Sequence, residues 1–474
     1  MTSSPVIRFH STMTRRTEVF SPLAPGAVRM YTCGPTVYDH AHIGNFRAYV
    51  WEDLLRRFLK HRGLAVTQVM NITDVDDKTI RNSLAAGVSL REYTDGYIRG
   101  FFEDIDRLGI ERAEKYPRAT DHVPEMLAMI RALTEKGHTY ESGGSTYFRI
   151  DTFPPYGRLS GLDPAGIQAG ARVESDEYEK DDVRDFVLWK AKKEGEPSWP
   201  ASIGEGRPGW HIECSAMSMK YLGPSFDIHT GAVDNIFPHH ENEIAQSEAC
   251  TGATFVGLWM HCAHLVVDGE KMSKSKGNFY TLRDLVGRGL DPRAIRYFLL
   301  SSHYRKPLNF TLEGVQQTAQ ALTRLDAFRE RLEAESRRVA GVSRSMDAGL
   351  LEARVNAHAE AFEESLADDL NTAEALGAIF EMVRTVNAAL DRGEAEPRGL
   401  EAAVNLYGRF QRVFGVRDRE DAALPPELAQ LVEARQDARG RKDFAEADRL
   451  RKLLLERGIV LEDTPGGVRC KRTT

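Results

Sequence analysis

The chain of 474 residues predicts an α/β fold. A parallel-sheet domain carrying an insertion is followed by an α-helical bundle and a small C-terminal unit. Three observations carry this. Apolar strands alternate with amphipathic helices over 27–108, an order that favours a parallel sheet with right-handed crossovers. Gly and Pro then crowd 115–208 (GGS, FPPYG, GEP, GEGRPG). Beyond 311 the chain turns to Ala, Leu, Glu and Arg with few glycines.

The elements follow in order. Residues 27–33, AVRMYTC, read as a short apolar strand. A helix is expected over 44–61, because Phe46, Val50, Leu54 and Phe58 recur every four residues as one buried stripe. LAVTQVM at 64–70 is a second strand, and 90–108 a second helix with Tyr93, Tyr97, Phe101 and Ile105 on one face. In such sheets ligands sit beyond the carboxyl ends of the strands. The loops 32–44 and 71–78 both leave strand ends and should meet in one crevice. The expected domains are therefore 1–114 with 209–310, the inserted module 115–208, the helical domain 311–417, a linker at 418–427 and the unit 428–474. Residues 431–474 hold 11 Lys/Arg against 8 Asp/Glu, so +3, which leaves −10 of the net −7 for the rest.

Apolar residues make up 42% and charged residues 28%, as in ordinary globular domains. The net charge excludes a uniformly basic coat, so any nucleic-acid contact rests on local patches. No apolar run reaches the roughly 18 residues of a membrane span. The first ten residues lack an apolar signal core. The five cysteines, 33, 214, 250, 262 and 470, are odd in number and scattered, which fits a reducing cytoplasm.

Two segments suggest polyphosphate chemistry. His40-Ala41-His42-Ile43-Gly44-Asn45 lies between a strand end and a helix start, where free N–H groups favour phosphate. Lys271-Met272-Ser273-Lys274-Ser275-Lys276-Gly277-Asn278 is a cationic loop able to clamp a polyphosphate as pyrophosphate leaves. Each alone reads equally as a solvated turn. A third segment, Phe237-Pro238-His239-His240-Glu241-Asn242-Glu243, opens a helix that puts His239 and Glu243 on one face. With Cys33 and Cys214 these supply a zinc-type donor set. The donors are too scattered for spacing to choose that over buried cysteines that merely pack. HExxH spacing is absent, which disfavours a zinc hydrolase.

Together, HIGN and KMSKS resemble the paired nucleotide signatures of class I aminoacyl-tRNA synthetases. YTCGPTVYDHAHIGNFR, NITDVDDK, GRPGWHIECSAMS, FPHHENEIAQSEA, DGEKMSKSKGN and DPRAIRYFLLSSHYR resemble the cysteinyl-tRNA synthetase family, as do LADDLNTAEAL and KDFAEADRLRKLLLERGIVLEDTPGG. The resemblance implies a Rossmann-like catalytic domain and ATP-dependent formation of cysteinyl-adenylate, with transfer to the 3′ adenosine of tRNA(Cys). It implies one Zn2+ per chain, held by Cys33, Cys214, His239 and Glu243, and ATP used with Mg2+. His42, Gly44, Asn45, Lys271 and Lys274 fall at the ATP site, with His42, Asn45, Lys271 and Lys274 as catalytic candidates. Thr73, Trp210 and Asp234 fall around the amino-acid pocket, and Arg439, Asp448 and Asp463 at positions that read the anticodon. His240 and Glu241 would support the metal from behind or face solvent, and Asp76 and Asp77 read best as a turn or helix cap. A cytoplasmic monomer is expected.

The chain departs from the family pattern at four places. Asn45 stands for the last histidine of HIGH and cannot carry a proton. Thr230 and Ala232 stand in a stretch that is often glycine. Cys470 stands where many relatives have Trp. Zinc answers a selectivity problem, since an apolar pocket separates near-isosteres by only about 1–3 kcal/mol, whereas about 10⁴-fold needs about 5.5 kcal/mol. The alternatives are a cysteine ligase of mycothiol synthesis, which lacks a full tRNA-binding tail, and a non-catalytic tRNA-binding paralogue, which would lack the lysines or metal ligands.

Overall fold

The structure, a computed structural model, describes residues 5–162, 185–339, 349–416, 426–441, 443–457, 459–464 and 467–472. Most of the linker expected at 418–427 lies outside them, as does 163–184 of the insert. Two compact units emerge, Met1–Val416 and Arg417–Thr474.

At the centre of the first unit lies a four-stranded sheet, ordered Val256–Cys262, Phe226–Ala232, Ala27–Thr32, Ala65–Met70, with every pairing parallel. Helix Ile43–His61 makes the crossover between the two strands of the first half. Its stripe, Phe46, Val50, Leu54 and Phe58, has no exposed surface, and each such side chain contributes about 1.5–3 kcal/mol by leaving water. The helix ends at Arg62, followed by Gly63 at φ 80°. Trp210–Leu222 and Glu241–Thr251 are the helices of the second half. Because all four strands run the same way, Thr32, Met70, Ala232 and Cys262 end at one edge, and the chemistry-bearing loops leave from there.

Between the halves, helix Val123–Glu135 precedes an antiparallel sheet, Thr139–Ser142, Ser145–Phe148, Phe186–Ala191, Gly206–Pro208. Phe148, Phe186 and Trp189 of this insert share a core with Ile212, Met217 and Ile244 of the second half. The helices Leu312–Arg338, Leu350–Ala367, Thr372–Arg392 and Pro397–Phe414 share the other core, continuous with Phe46, Leu54 and Phe58. The helical region is thus packed as part of the first unit. The N-terminal hairpin, Arg8–Ser11 with Arg16–Val19, was not foreseen from sequence.

The second unit is a helical hairpin, Pro426–Gly440 and Phe444–Glu456, with a β-hairpin, Ile459–Thr464 and Gly467–Arg472. Leu454, Ile459 and Leu461 form its core with Leu431 and Val432. Among the described residues no helix is long and apolar enough to cross a membrane.

Candidate active site and metal centre

A cavity of about 570 Å³ opens at the carboxyl edge of the sheet, and Cys33, His42, Asn45, Trp210, Asp234 and Lys271 are among its lining residues.

The HIGN segment is shaped by its own helix cap. His42 Nδ1 accepts from Asn45 N–H at 3.2 Å, and Asn45 Oδ1 accepts from His42 N–H at 3.0 Å, closing a capping box. Asn45 therefore has a local reason to be asparagine. At Gly44 a Cβ would come within 2.9 Å of the His42 ring and 3.2 Å of Met272, so the close approach that needs glycine is to the chain's own side chains. The lysine loop docks on the same segment. Ile43 N–H donates to Tyr280 O at 2.9 Å, and the Phe279 ring lies edge-on to His42 at 5.2 Å. Lys271 is exposed on a short strand, Glu270–Lys271. Lys274 begins a single 3-10 turn, Lys274–Lys276, and its side chain lies outside the described residues.

Four stretches of chain converge below the cavity. Single donor atoms of Cys33, Cys214, His239 and Glu243 all lie within 4.8 Å of one another. The sequence started this last helix at Phe237. The structure starts it at Glu241, after a kinked turn Ile236–His240 with Phe237 extended (φ −138°, ψ 131°). Pro238 imposes that, since a residue before proline is driven out of the helical region. His239 Nε2 still reaches Glu243 Oε1 at 3.0 Å.

A second set, Cys33, His229, His240 and Glu243, also lies within 4.8 Å. Its two histidines are engaged as supports. His229 Nε2 lies 3.0 Å from Glu243 Oε2, and its ring stacks on Trp259. His240 Nε2 lies 3.2 Å from Cys33 Sγ, while its Nδ1 meets His261 Nε2 at 2.8 Å, and His261 Nδ1 meets the Thr12 hydroxyl at 2.8 Å. Such outer partners orient ligands. Of the two roles left open for His240 and Glu241, solvent exposure is excluded, because both are fully buried. Glu241 accepts N–H from Gly157 and Ser160 of the insert at 2.9 and 2.7 Å.

The first donor set suits a soft divalent cation. Two thiols, an imidazole and a carboxylate are packed together, with His239 Nε2 and Glu243 Oε1 3.0 Å apart. The hydrogen bond with Cys214 and then burial push the Cys33 thiol well up. Burial pushes His239 down to about 3, so its imidazole is neutral, the form that ligates a metal.

Trp210 is 43% exposed and stacks on His239 at 4.2 Å, so it is a wall of the cavity and not core. Asp234 lies on the rim, its carboxylate 3.1 Å from His264 Nε2. Thr73 is placed behind the wall. It is 1% exposed, absent from the lining, and donates to Glu213 Oε2 at 3.0 Å. Burial holds the Glu213 carboxyl well above the usual range. Asp76 is the N-cap of helix Asp77–Ala86, in a capping box with Thr79. Arg439 and Asp448 are exposed on the two helices of the second unit, while the side chains of Asp463 and Cys470 lie outside the described residues.

The departure at Thr230 has a structural account, and none is found for Ala232. The glycine retained, Gly231, is the one whose Cβ would meet the His240 ring at 2.8 Å. Thr230 directs its hydroxyl to Glu52 Oε1 at 2.8 Å, and its carbonyl accepts Cys33 N–H at 3.3 Å. Glu52, Thr12, His229 and His261 were not singled out from sequence. The readable signal is a histidine within each of two strands, FDIHTGA and VGLWMHC.

The fold is that of the class I aminoacyl-tRNA synthetases. The structure is similar to methionyl-tRNA synthetase of Mycobacterium tuberculosis in complex with methionyl-adenylate (TM-score 0.63, 16% identity, 82% of this chain and 92% of that one). It is also similar to the Agrobacterium radiobacter K84 LeuRS in a ternary complex with tRNA and LeuAMS (TM-score 0.61, 12% identity, 83% and 85%). Residues 19–320 match the tRNA synthetases class I (C) catalytic domain, 361–417 the DALR domain and 421–470 the Cysteinyl-tRNA ligase anticodon binding domain. The cysteine–tRNA ligases of Solibacter usitatus and Brachyspira hyodysenteriae are each 50% identical to it, over 98% of this chain and 99% of theirs. The chain belongs to the cysteine–tRNA ligase family and is a class I aminoacyl-tRNA synthetase.

Proposed function

We propose that the protein activates L-cysteine with ATP and transfers it to tRNA(Cys), with a zinc ion choosing the thiol. The observation that carries this is the convergence of Cys33, Cys214, His239 and Glu243 beneath a cavity that also holds the HIGN segment and Lys271. In the first step a cysteine carboxylate oxygen attacks the α-phosphorus of ATP, and the bond to the β-phosphate bridging oxygen breaks. In the second the ribose hydroxyl of the tRNA 3′ adenosine attacks the activated carbonyl and AMP leaves. Neither step needs a protein nucleophile, so the work is positioning and charge stabilisation. His42 and Asn45 orient phosphate, and Lys271 and Lys274 meet the charge that develops on pyrophosphate, with Mg2+ arriving on ATP. Asp234 receives the α-ammonium, and Trp210 closes the pocket over the amino acid. When bound by the four donors, zinc supplies a soft Lewis acid that favours sulfur over a hydroxyl oxygen. In the second unit Arg439, Asp448 and Asp463 read anticodon bases. The working form is a cytoplasmic monomer.

The test is ATP–pyrophosphate exchange with zinc-loaded protein, run with cysteine, serine and alanine, then acceptor assays with tRNA and an amino sugar. Exchange that serine supports as well as cysteine, or transfer to the amino sugar alone, overturns the reading.

A further inference from the structure

We infer that Arg283 is a positioning residue for the adenylation step, anchoring the stem of the lysine loop to helix Leu90–Arg107. This rests on the adenylation reading above.

The lysine loop leaves the core at the short strand Glu270–Lys271 and returns through 279–283. That return segment is gripped from two sides. On one side are the HIGN contacts already described, with Thr281 bridged to His42. On the other is Arg283, whose Nη2 donates to Gly100 O at 3.2 Å and to Glu103 Oε2 at 2.6 Å. Its Nε stands 3.5 Å from Asp104 Oδ1. Asp104 is 1% exposed, and neither of its carboxylate oxygens accepts a hydrogen bond among the described residues; Arg283 Nε is likewise without one. The buried Asp104 and the partly exposed Arg283 stand at ion-pair distance without a hydrogen bond, so a small movement of the stem toward the helix makes one.

Gly100 leaves room for this grip. A Cβ there would meet Arg283 Nη2 at 3.2 Å and the His40 ring at 2.9 Å. His40 lines the cavity, so the helix that holds Arg283 also backs the nucleotide wall. The lysine-bearing span is thereby confined to 272–278, between a strand and a pinned stem. Its lysines can then meet leaving-group charge at a fixed place, a gain realised in the transition state and not in ground-state binding.

The experiment compares wild type, Arg283→Ala and Glu103→Gln, each zinc-loaded, in cysteine-dependent exchange. Arg283→Ala is expected to lower kcat for exchange by about tenfold or more, with KM for cysteine unchanged within about twofold. Glu103→Gln, a half-exposed partner that the fold tolerates, is expected to lower kcat by about threefold, the scale of one surface ion pair. Zinc content, and single-turnover transfer to tRNA from pre-formed cysteinyl-adenylate, stay at wild-type values in both, which a merely destabilised fold would not give. Wild-type kcat in a folded Arg283→Ala overturns the inference, as does wild-type kcat in Glu103→Gln if the alanine variant does not fold. Absence of cysteine-dependent exchange in wild type instead overturns the adenylation reading.

Discussion

Replacing Glu52 with glutamine should stabilise the first unit, and by an amount that grows with pH. Glu52 has no exposed surface, one carboxylate oxygen accepts from the Thr230 hydroxyl at 2.8 Å, and the other has no partner among the described residues. Burial raises this carboxyl from 4.5 to about 8. The unfolded chain thus releases the proton near 4.5 while the folded chain keeps it to about 8. Stability contributed by this group is complete below the unfolded value and is lost progressively as pH rises through that window. At about 1.4 kcal/mol per pH unit the loss between pH 5 and 7 is about 3 kcal/mol, an upper figure because the site relaxes. Glutamine keeps the acceptor for Thr230 and never ionises. All five tryptophans, 51, 189, 199, 210 and 259, lie in the first unit. Urea unfolding followed by tryptophan fluorescence therefore reports that unit alone. Glu52→Gln should match wild type at pH 5 and exceed it by about 2–3 kcal/mol at pH 7. An equal difference between the two proteins at both pH values would refute the reasoning, because it would mean that Glu52 is solvated or already ionised.

Other changes separate the parts of the site. Cys33→Ser or Cys214→Ser should weaken zinc binding by about 100-fold or more, read by competition with a chromophoric chelator, since a hydroxyl is a poor ligand near neutral pH. Wild-type affinity in either variant would remove that residue from the donor set. Lys274→Ala should slow exchange by about 10²–10³-fold with zinc content intact, and loss of metal would show that loop and metal centre are not separable. A chain ending at Val416 should keep exchange and lose about two orders of magnitude in kcat/KM for tRNA charging, the scale of a few base contacts at about 1–3 kcal/mol each. A truncated chain that charges tRNA normally would deny the second unit its role.

Much of the fold was legible because its signals are local. The helix stripe Phe46, Val50, Leu54, Phe58 read from period alone is the fully buried face, and the strand end at Thr32 and the helix start at Ile43 fall close to where composition put them. The shared core between the helical region and the sheet was not legible, because texture marks a change of style and not a gap in packing. Nor was the extended Phe237 read from sequence, although the following proline is a sufficient local cause.

At the site, the residues whose chemistry is distinctive were readable and the ones that hold them were not. A buried glutamate and a threonine reaching for it from another strand leave no mark on spacing. They become intelligible only in three dimensions, where they explain what the sequence left odd. Asn45 is the other half of a helix cap, and Thr230 pairs with Glu52 while its carbonyl fixes the backbone of Cys33. These two departures sit where a side chain of this same chain can use them, and Gly231, where a Cβ would meet the His240 ring, is glycine. Substitution around the site is therefore bounded by packing behind the cavity wall as much as by the side chains that line it. Thr230 and Glu52 should accordingly tolerate change together better than apart, since losing either alone leaves a buried polar group unpaired, at about 1–3 kcal/mol.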